Sequence, residues 1–326
     1  MSARRRQYLP GVHGVLLVDK PQGYTSHDVV ARIRKIAGFV RCGHAGTLDP
    51  MATGVLPVLL GDATRLSQWL IQHDKEYEFT LEFGRTTDTY DAQGRTLQEY
   101  PVPSMDDAAL IALAARFTGP QMQIPPMYSA IKVGGKKLHK EARKGHEVNR
   151  SARPVTIDSL QVLAWHPPFL QLRATCSKGT YIRTLAHDMG QVVGCGACVT
   201  QLRRIRVGSF HVQNAVALEE IVSLETITPR LISLPDALVQ FQRISLDADH
   251  AACIANGRTI AMASASLQEG ACVFLLDPQG RALALATYEQ NQLRPQCVFA
   301  SVSLENKRKK DSCNFASFHQ KPLSGG

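Results

Sequence analysis

The chain has 326 residues, of which 44% are hydrophobic. This length and composition suit one large domain plus a small one, and they exclude a wholly disordered protein. Lysine and arginine (37) exceed aspartate and glutamate (28), so the formal net charge is +9 and a polyanionic partner, above all nucleic acid, is favoured. No apolar run reaches the ~20 residues of a membrane span, and the basic start Met1–Arg6 lacks the apolar segment of a secretory signal. We therefore expect a cytoplasmic protein with no membrane partner.

The first predicted elements alternate a strand, a helix and a structured loop. Gly-Val-Leu-Leu-Val-Asp at 14–19 predicts a buried strand. Ser26 is expected to cap a helix that ends near Gly38, with an apolar stripe every three or four residues. The stretch 41–60 is rich in Gly, Thr and Pro and predicts a loop leading into the apolar run 55–60. A helix with Leu66, Trp69 and Leu70 inward is predicted at 63–72.

The clearest strand follows, because apolar residues alternate with polar ones from Tyr77 to Phe83 and share one face. Beyond a turn at 91–94, the pattern predicts a helix at 106–117, a strand at 170–176, a helix carrying Ile182, Leu185 and Met189, and a strand at 199–207. Strands and helices mix without strict βαβ repetition. We therefore predict a mixed α/β (α+β) fold rather than a doubly wound one.

A segment at about 124–155 has few apolar residues and many cations without matching acids. A solvated surface loop is the common outcome for such a run, and a phosphate-binding insertion is the alternative that the charge density favours. The cations that we expect to contact phosphate are Lys132, Lys136, Lys137, Lys140 and Arg143.

After residue 240 the sequence pattern changes to short β-like segments, which are separated by the turn 277–280. We predict a large domain over 1–240 that contains the insertion, a small β-rich domain over 241–302, and a basic, disordered tail over 303–326.

Eight scattered cysteines are typical of reduced thiols rather than of a disulfide framework. Cys195 and Cys198 form a lone Cys-x-x-Cys pair with no second pair at a zinc-finger spacing. Ordinary buried thiols are the favoured interpretation, and a zinc or redox role is the alternative. The sequence contains no cluster of metal ligands and no cofactor motif, so we expect neither a metal nor a cofactor.

The stretch 43–57 carries the most informative residue, Asp49. Pro50 biases Asp49 towards an extended backbone, and Gly43, Gly46 and Gly54 allow the loop to approach a ligand closely. A carboxylate fixed on such a loop is suited to act as a nucleophile or base. It is equally suited to bond the backbone amides of its own turn, and the residues alone leave both interpretations open.

The run Cys-Gly-His-Ala-Gly-Thr-Leu-Asp-Pro-Met-Ala-Thr-Gly-Val-Leu-Pro at 42–57 resembles the signature of the TruB family of pseudouridine synthases. Further blocks that resemble the family follow in its order, at 14–30, 75–77, 87–94, 125–132, 176–190 and 200–204. The resemblance covers about residues 12–210. At His139 the chain departs from the family, which usually has a tyrosine there.

The resemblance implies a catalytic domain with a mixed, largely antiparallel sheet, an RNA-binding insertion and a C-terminal PUA-like RNA-binding domain. It implies that the uridine at position 55 in the T-loop of tRNA is flipped out and isomerised to pseudouridine, without a cofactor. The implied partner is the T-arm stem-loop of tRNA. We expect no obligate protein partner, and a monomer.

The resemblance also assigns roles to single residues. Asp49 matches the essential aspartate, which attacks or deprotonates the target nucleoside, and Arg183 matches the arginine that pairs with it. The matches to residues that contact the target nucleotide are Tyr77, which stacks on the base, Tyr181 at the pocket wall, Leu202 lining the uracil pocket, and His44. Lys20 and Pro21 are expected to shape the pocket.

Two other classes of function stay open at this point. The first is a guide-directed synthase in a ribonucleoprotein, against which the long insertion argues because it suits an enzyme that binds tRNA unaided. The second is an RNA-binding protein or tRNA folding chaperone without catalysis. The joint presence of Asp49, Tyr77, Tyr181 and Arg183 argues against that class, because binding alone does not need the carboxylate.

Overall fold

The computed structural model describes residues 12–299 except 130, 134, 135, 143, 147 and 265, and it gives only the backbone of 132, 133, 136, 137, 139 and 140. The strands are β1 Gly14–Lys20, β2 Cys42–His44, β3 Thr53–Leu60, β4 Lys75–Phe83, β5 Arg85–Thr87, β6 Thr96–Glu99, β7 Gly119–Gln123, β8 Lys132–Val133, β9 Lys136–Lys137, β10 Arg153–His166, β11 Phe169–Cys176, β12 Ala197–Val207, β13 Phe210–His211, β14 Val216–Ala217, β15 Gln242–Ser245, β16 Ile260–Ala261, β17 Cys272–Leu276, β18 Ala282–Glu289 and β19 Gln292–Val298. The helices are α1 Ser26–Ile36, α2 Ser67–Leu70, α3 Asp107–Arg116, α4 Leu138–Ala142, α5 Ile182–Val193, α6 Leu224–Ile227, α7 Leu234–Ala237 and α8 Ala248–Ala255.

A large sheet forms the framework, in the order β14-β1-β3-β12-β4-β11-β10-β7, with β2 paired to β3 and β13 paired to β12. The pairs β1–β14 and β3–β12 are parallel, and the other pairs of this sheet are antiparallel. The predicted fold class, a mixed and largely antiparallel sheet with helices, is confirmed.

Strand β4 lies at the centre of this sheet, between β12 and β11. Its predicted alternation is confirmed, because Tyr77, Phe79, Leu81 and Phe83 are buried in the main core while the residues between them are half-exposed. The predicted strands at 14–19, 170–176 and 199–207 are present as β1, β11 and β12, and the predicted helix at 106–117 is present as α3. The stretch 63–72 differs from its prediction, since a 3-10 turn at Gly61–Leu66 precedes the short helix α2.

The N-terminus of α1 corrects one prediction. Thr25 rather than Ser26 is the N-cap, because the Thr25 hydroxyl accepts the Asp28 N–H and the Asp28 carboxylate accepts the Thr25 N–H. Ser26 is buried, and its hydroxyl accepts the Leu48 N–H (2.8 Å) and donates to the Leu48 carbonyl (3.1 Å). Its hydroxyl is therefore used to hold the loop that carries Asp49.

The C-terminal part forms a second sheet in the order β15-β17-β18-β19-β16. Phe274, Leu285 and Phe299 pack in one cluster with Val15 and Leu59 of the large sheet. The β-rich character of this part is confirmed. Its assignment as a PUA-like domain and the boundaries at 240 and 302 stay predictions, and Arg143 and the tail 303–326 lie outside the described residues.

Within the described residues, no helix is long and apolar enough to cross a membrane. Cys195 and Cys198 are both free and buried.

Candidate active site

The loop between β2 and β3 holds Asp49 from several sides. Ser26 bonds both backbone groups of Leu48, the Asp49 carbonyl accepts the Ala52 N–H (3.1 Å), and the Pro50 carbonyl accepts the Gly23 N–H (2.8 Å). The Asp49 side chain remains 31% exposed. The backbone is thus fixed while the carboxylate stays accessible, as a reacting group requires.

Arg183, in the first turn of α5, pairs with this carboxylate. Its Nε lies 2.8 Å from the Asp49 Oδ2, its Nη1 donates to the Thr89 carbonyl (2.9 Å), and its Nη2 donates to the Tyr128 carbonyl (2.8 Å). The Asp91 carboxylate lies 3.5 Å from Nη1. Only 3% of the Arg183 side chain is exposed, so a buried positive charge in a fixed orientation faces Asp49.

A second buried arginine, Arg204 on β12, holds the two ends of the same loop. Its Nε donates to the Val55 carbonyl (2.9 Å), and its Nη2 donates to the Gly46 carbonyl (3.2 Å). Where β12 runs beside β3, Gly54 has φ +103° and an added Cβ would lie 2.2 Å from the Arg204 carbonyl oxygen. A glycine is required here, because a side chain would push apart the strands that position the loop.

A cavity of about 240 Å³ opens beside Asp49. At ~30 Å³ per water molecule this is room for about eight waters, the scale of a small ligand. The predicted residues that line it are Asp49, Tyr77, Tyr181, Arg183 and Leu202. His44 is not among the lining residues; it is half-buried on β2, opposite Val58.

The two tyrosines lie on different walls of the cavity. Tyr77, on β4, is only 9% exposed and neighbours β12, which carries Leu202. Tyr181 is the N-cap of α5 and is half-buried, with its hydroxyl bonded to Ser129. Burial raises the pKa of both tyrosines. Both hydroxyls are therefore protonated near neutral pH, and each can donate one hydrogen bond and accept others.

Lys20 is fully buried behind the loop. Its ammonium donates to the Pro21, Tyr24 and Pro50 carbonyls at 3.0, 2.7 and 3.4 Å. Burial lowers the pKa of Lys20 to about 8, while the negative charge of Asp49 opposes that shift. The bond to Pro50 places this side chain where it supports the shape of the Asp49 turn.

Arg204 and Lys75 line the cavity although the sequence analysis assigned them no role. Burial lowers the pKa of Lys75 to about 8, and its ammonium donates to the Ile71 carbonyl (2.7 Å). Both positions lie in blocks that resemble the family. Lys75 and Arg204 are cations within strands, and the structure buries both of them. A cation within a strand was therefore the further signal that the sequence offered.

The insertion contains a small hairpin, in which Lys132 pairs with Lys137 and Val133 with Lys136, followed by α4. The side chains of Lys132, Lys136, Lys137 and Lys140 are outside the description, as is the whole of Arg143. Their contact with phosphate stays a prediction.

Comparison with known proteins decides the family. A model described as "TruB family pseudouridylate synthase (N terminal domain)" matches residues 34–182, and "tRNA pseudouridylate synthase B C-terminal domain" matches residues 183–232. The tRNA pseudouridine synthase B of Aromatoleum aromaticum is 45% identical over 295 residues, which are 90% of this chain and 94% of that protein. The chain belongs to the TruB family of pseudouridine synthases. It is therefore an enzyme, an isomerase, and the resemblance stated from its motifs is confirmed.

Other relatives agree with membership of the TruB family. The tRNA pseudouridine synthase B of Syntrophotalea carbinolica is 43% identical and covers 87% of this chain and 94% of its own. Among solved structures, an H/ACA RNP bound to a substrate RNA containing 2′-deoxyuridine matches with a TM-score of 0.67. That match has 22% sequence identity and covers 91% of this chain and 92% of the other. It shows that the fold is shared.

Proposed function

We propose that the chain isomerises the uridine at position 55 in the T-loop of tRNA to pseudouridine, with Asp49 as the reacting group and no cofactor. The observation that carries the proposal is the Asp49 carboxylate, held 2.8 Å from the Arg183 Nε beside a cavity walled by Tyr77, Tyr181 and Leu202. The relatives are named tRNA pseudouridine synthase B, which supports tRNA as the substrate.

Binding precedes the chemistry. The target uridine lies inside a folded loop, and flipping it out costs a few kcal/mol. Stacking on Tyr77 returns ~1–3 kcal/mol. Contacts between the cations of the insertion and RNA phosphates supply much of the remainder. His44 lies outside the cavity lining, and its proposed role is contact with the flipped nucleotide.

The reaction exchanges one bond of the nucleoside for another. The N1–C1′ bond breaks with the participation of Asp49, the base rotates, and a C5–C1′ bond forms. The proton at C5 is lost and N1 gains one, so no electrons and no external group are transferred. The Tyr181 hydroxyl at the cavity wall assists removal of the C5 proton.

The detached base must be protected from water during rotation. Buried Arg183, Tyr77 and Leu202 already exclude water from one side of the cavity. The Asp49 side chain remains open on the other side, where the bound RNA completes the enclosure.

Tritium release from a tRNA transcript labelled at uridine C5 tests the proposal. Wild-type enzyme should release tritium from one T-loop uridine, whereas Asp49→Asn should release none and bind tRNA within severalfold of wild type. The exposed Asp249→Asn, on α8, serves as the matched control and should behave as wild type. Tritium release by Asp49→Asn, or a loss of binding as large as its loss of turnover, would contradict the role of Asp49.

The same assay separates the alternatives. A tRNA folding chaperone would bind the transcript tightly without releasing tritium from it. A guide-directed synthase would release tritium only when a guide RNA is added. Activity of the isolated chain on tRNA supports an enzyme that needs no obligate protein partner.

A further inference from the structure

The start of the insertion is bonded to the first turn of α5. Gln123, the last residue of β7, is 2% exposed. Its Oε1 accepts the Tyr181 N–H (2.7 Å), and its Nε2 donates to the Tyr181 carbonyl (3.1 Å). One side-chain amide thus bonds both backbone groups of a residue 58 positions away, beside the Leu185 N–H that the Tyr181 carbonyl also accepts (3.0 Å).

Two more bonds join the same segments. The Thr184 hydroxyl donates to the Ile124 carbonyl (3.3 Å), and the Arg183 Nη2 donates to the Tyr128 carbonyl (2.8 Å). The segment 123–128 and the segment 181–184 therefore form one hydrogen-bonded unit, and Arg183 extends from that unit to Asp49.

The chemistry of the amide explains why a glutamine suits this position. Tyr181 begins α5 without a side-chain cap, and its neighbour Gln123 is buried. A primary amide both donates and accepts. A glutamate of the same shape would accept the Tyr181 N–H but would turn a second acceptor towards the Tyr181 carbonyl.

We propose that Gln123 is a positioning residue for the isomerisation. It fixes the Tyr181 backbone, so that the Tyr181 ring walls the cavity and Arg183, two residues on, faces Asp49. This inference rests on the proposed function, because it is read out through the rate of that reaction.

Single-turnover tritium release and tRNA binding test the inference in two variants. Gln123→Met removes both bonds at nearly constant volume, and the rate should fall roughly tenfold or more while the Kd for tRNA changes less than about twofold. Gln121→Met, on the same strand, is the control and should keep the wild-type rate.

Gln123→Glu adds a readout that fold stability alone would not give. Burial and the Tyr181 carbonyl raise the pKa of the introduced carboxyl, whereas Arg153, opposite Gln123 on β10, and Arg183 lower it. When protonated it donates to that carbonyl as the amide does, and when ionised it repels it. The ratio of this variant's rate to the wild-type rate should therefore rise as pH falls from 8 to 6. This measurement still tests the positioning role of Gln123 if the Gln123→Met variant does not fold.

The outcomes separate this inference from the proposed function. If wild type releases no tritium, the proposed function fails. If wild type is active and Gln123→Met matches it, or if Gln123→Glu keeps the wild-type rate at every pH from 6 to 8, Gln123 has no positioning role.

Discussion

The guanidinium of Arg183 donates hydrogen bonds to three separate parts of the chain. Its Nε bonds Asp49, its Nη1 bonds the Thr89 carbonyl and its Nη2 bonds the Tyr128 carbonyl. Since the two carbonyl bonds fix the plane of the group, only Nε is presented to the carboxylate. Charge alone is not sufficient at this position, because an ammonium has no such fixed geometry.

Arg183→Lys should therefore keep the positive charge and lose the reaction. We expect the single-turnover rate to fall roughly hundredfold, as for a catalytic group displaced by about 1 Å, with tRNA affinity close to wild type. The control is Arg173→Lys, which alters a half-exposed ion pair with Glu78 on the sheet surface and should have little effect. Equal rates for the two variants would show that Arg183 supplies charge without geometry.

The motifs identify five residues that line the cavity and one buried support, Lys20, but not the support from Arg204. Asp49, Tyr77, Tyr181, Arg183 and Leu202 were assigned from blocks of the sequence and meet at one cavity. Arg204 was missed as a support because its partners, the carbonyls of Val55 and Gly46, are 149 and 158 positions away. Backbone carbonyls are identical in every residue, so no side-chain pattern marks them as partners.

At the scale of elements, the parallel pairing of β3 with β12 determines where the Asp49 loop lies. These strands are parallel at Thr53–Arg203 and Gly54–Arg204, within a mostly antiparallel sheet. The pairing brings the β12 backbone within 2.2 Å of where a Cβ at Gly54 would be. This close contact between the two backbones fixes the start of β3, and with it the end of the loop that carries Asp49.

Gly54→Ala should destabilise the protein by roughly 2–4 kcal/mol, since it combines a left-handed backbone with a steric clash. Urea unfolding followed by circular dichroism measures the loss. Gly257→Ala is the matched control, because Gly257 also has a positive φ (+74°) but nothing lies within 4 Å of its added Cβ. It should lose only about 1 kcal/mol, and an equal loss in both variants would contradict the steric account.

Elements with a local pattern were predicted well, and those with remote causes were not. β4 follows from the alternation between Tyr77 and Phe83, which needs no other part of the chain. The sequence predicts a loop at β2, because its three residues become a strand only by pairing with β3. It predicts Ser26 as the cap because a serine hydroxyl suits either role, and the bond to Leu48 depends on a contact 22 positions away.

For the molecule as a whole, the net charge of +9 and the insertion are the features expected to govern RNA affinity. The hairpin β8–β9 and helix α4 display the backbone of Lys132, Lys136, Lys137 and Lys140 within a short stretch. If these cations contact phosphates, binding releases counterions and depends on salt.

Replacing Lys136, Lys137 and Lys140 with alanine should weaken tRNA binding and reduce the slope of log K against log salt, by roughly one unit per lost phosphate contact. Filter binding over a range of salt concentrations measures the slope. The control replaces the exposed Arg95, Arg116 and Arg230, which removes the same charge outside both the insertion and the predicted C-terminal RNA-binding domain. Equal slopes for the two triple variants would mean that the insertion contributes only to the overall charge.

The two family models meet between Ile182 and Arg183, inside the first turn of α5. Asp49 therefore belongs to one sequence region and its arginine to the other, with 2.8 Å between them in space. A chimera joined at that boundary would take its carboxylate from one parent and its guanidinium from the other. The arginine of the second parent would be oriented by backbone carbonyls of the first, at Thr89 and Tyr128, so the chimera works only where those carbonyls still accept its guanidinium.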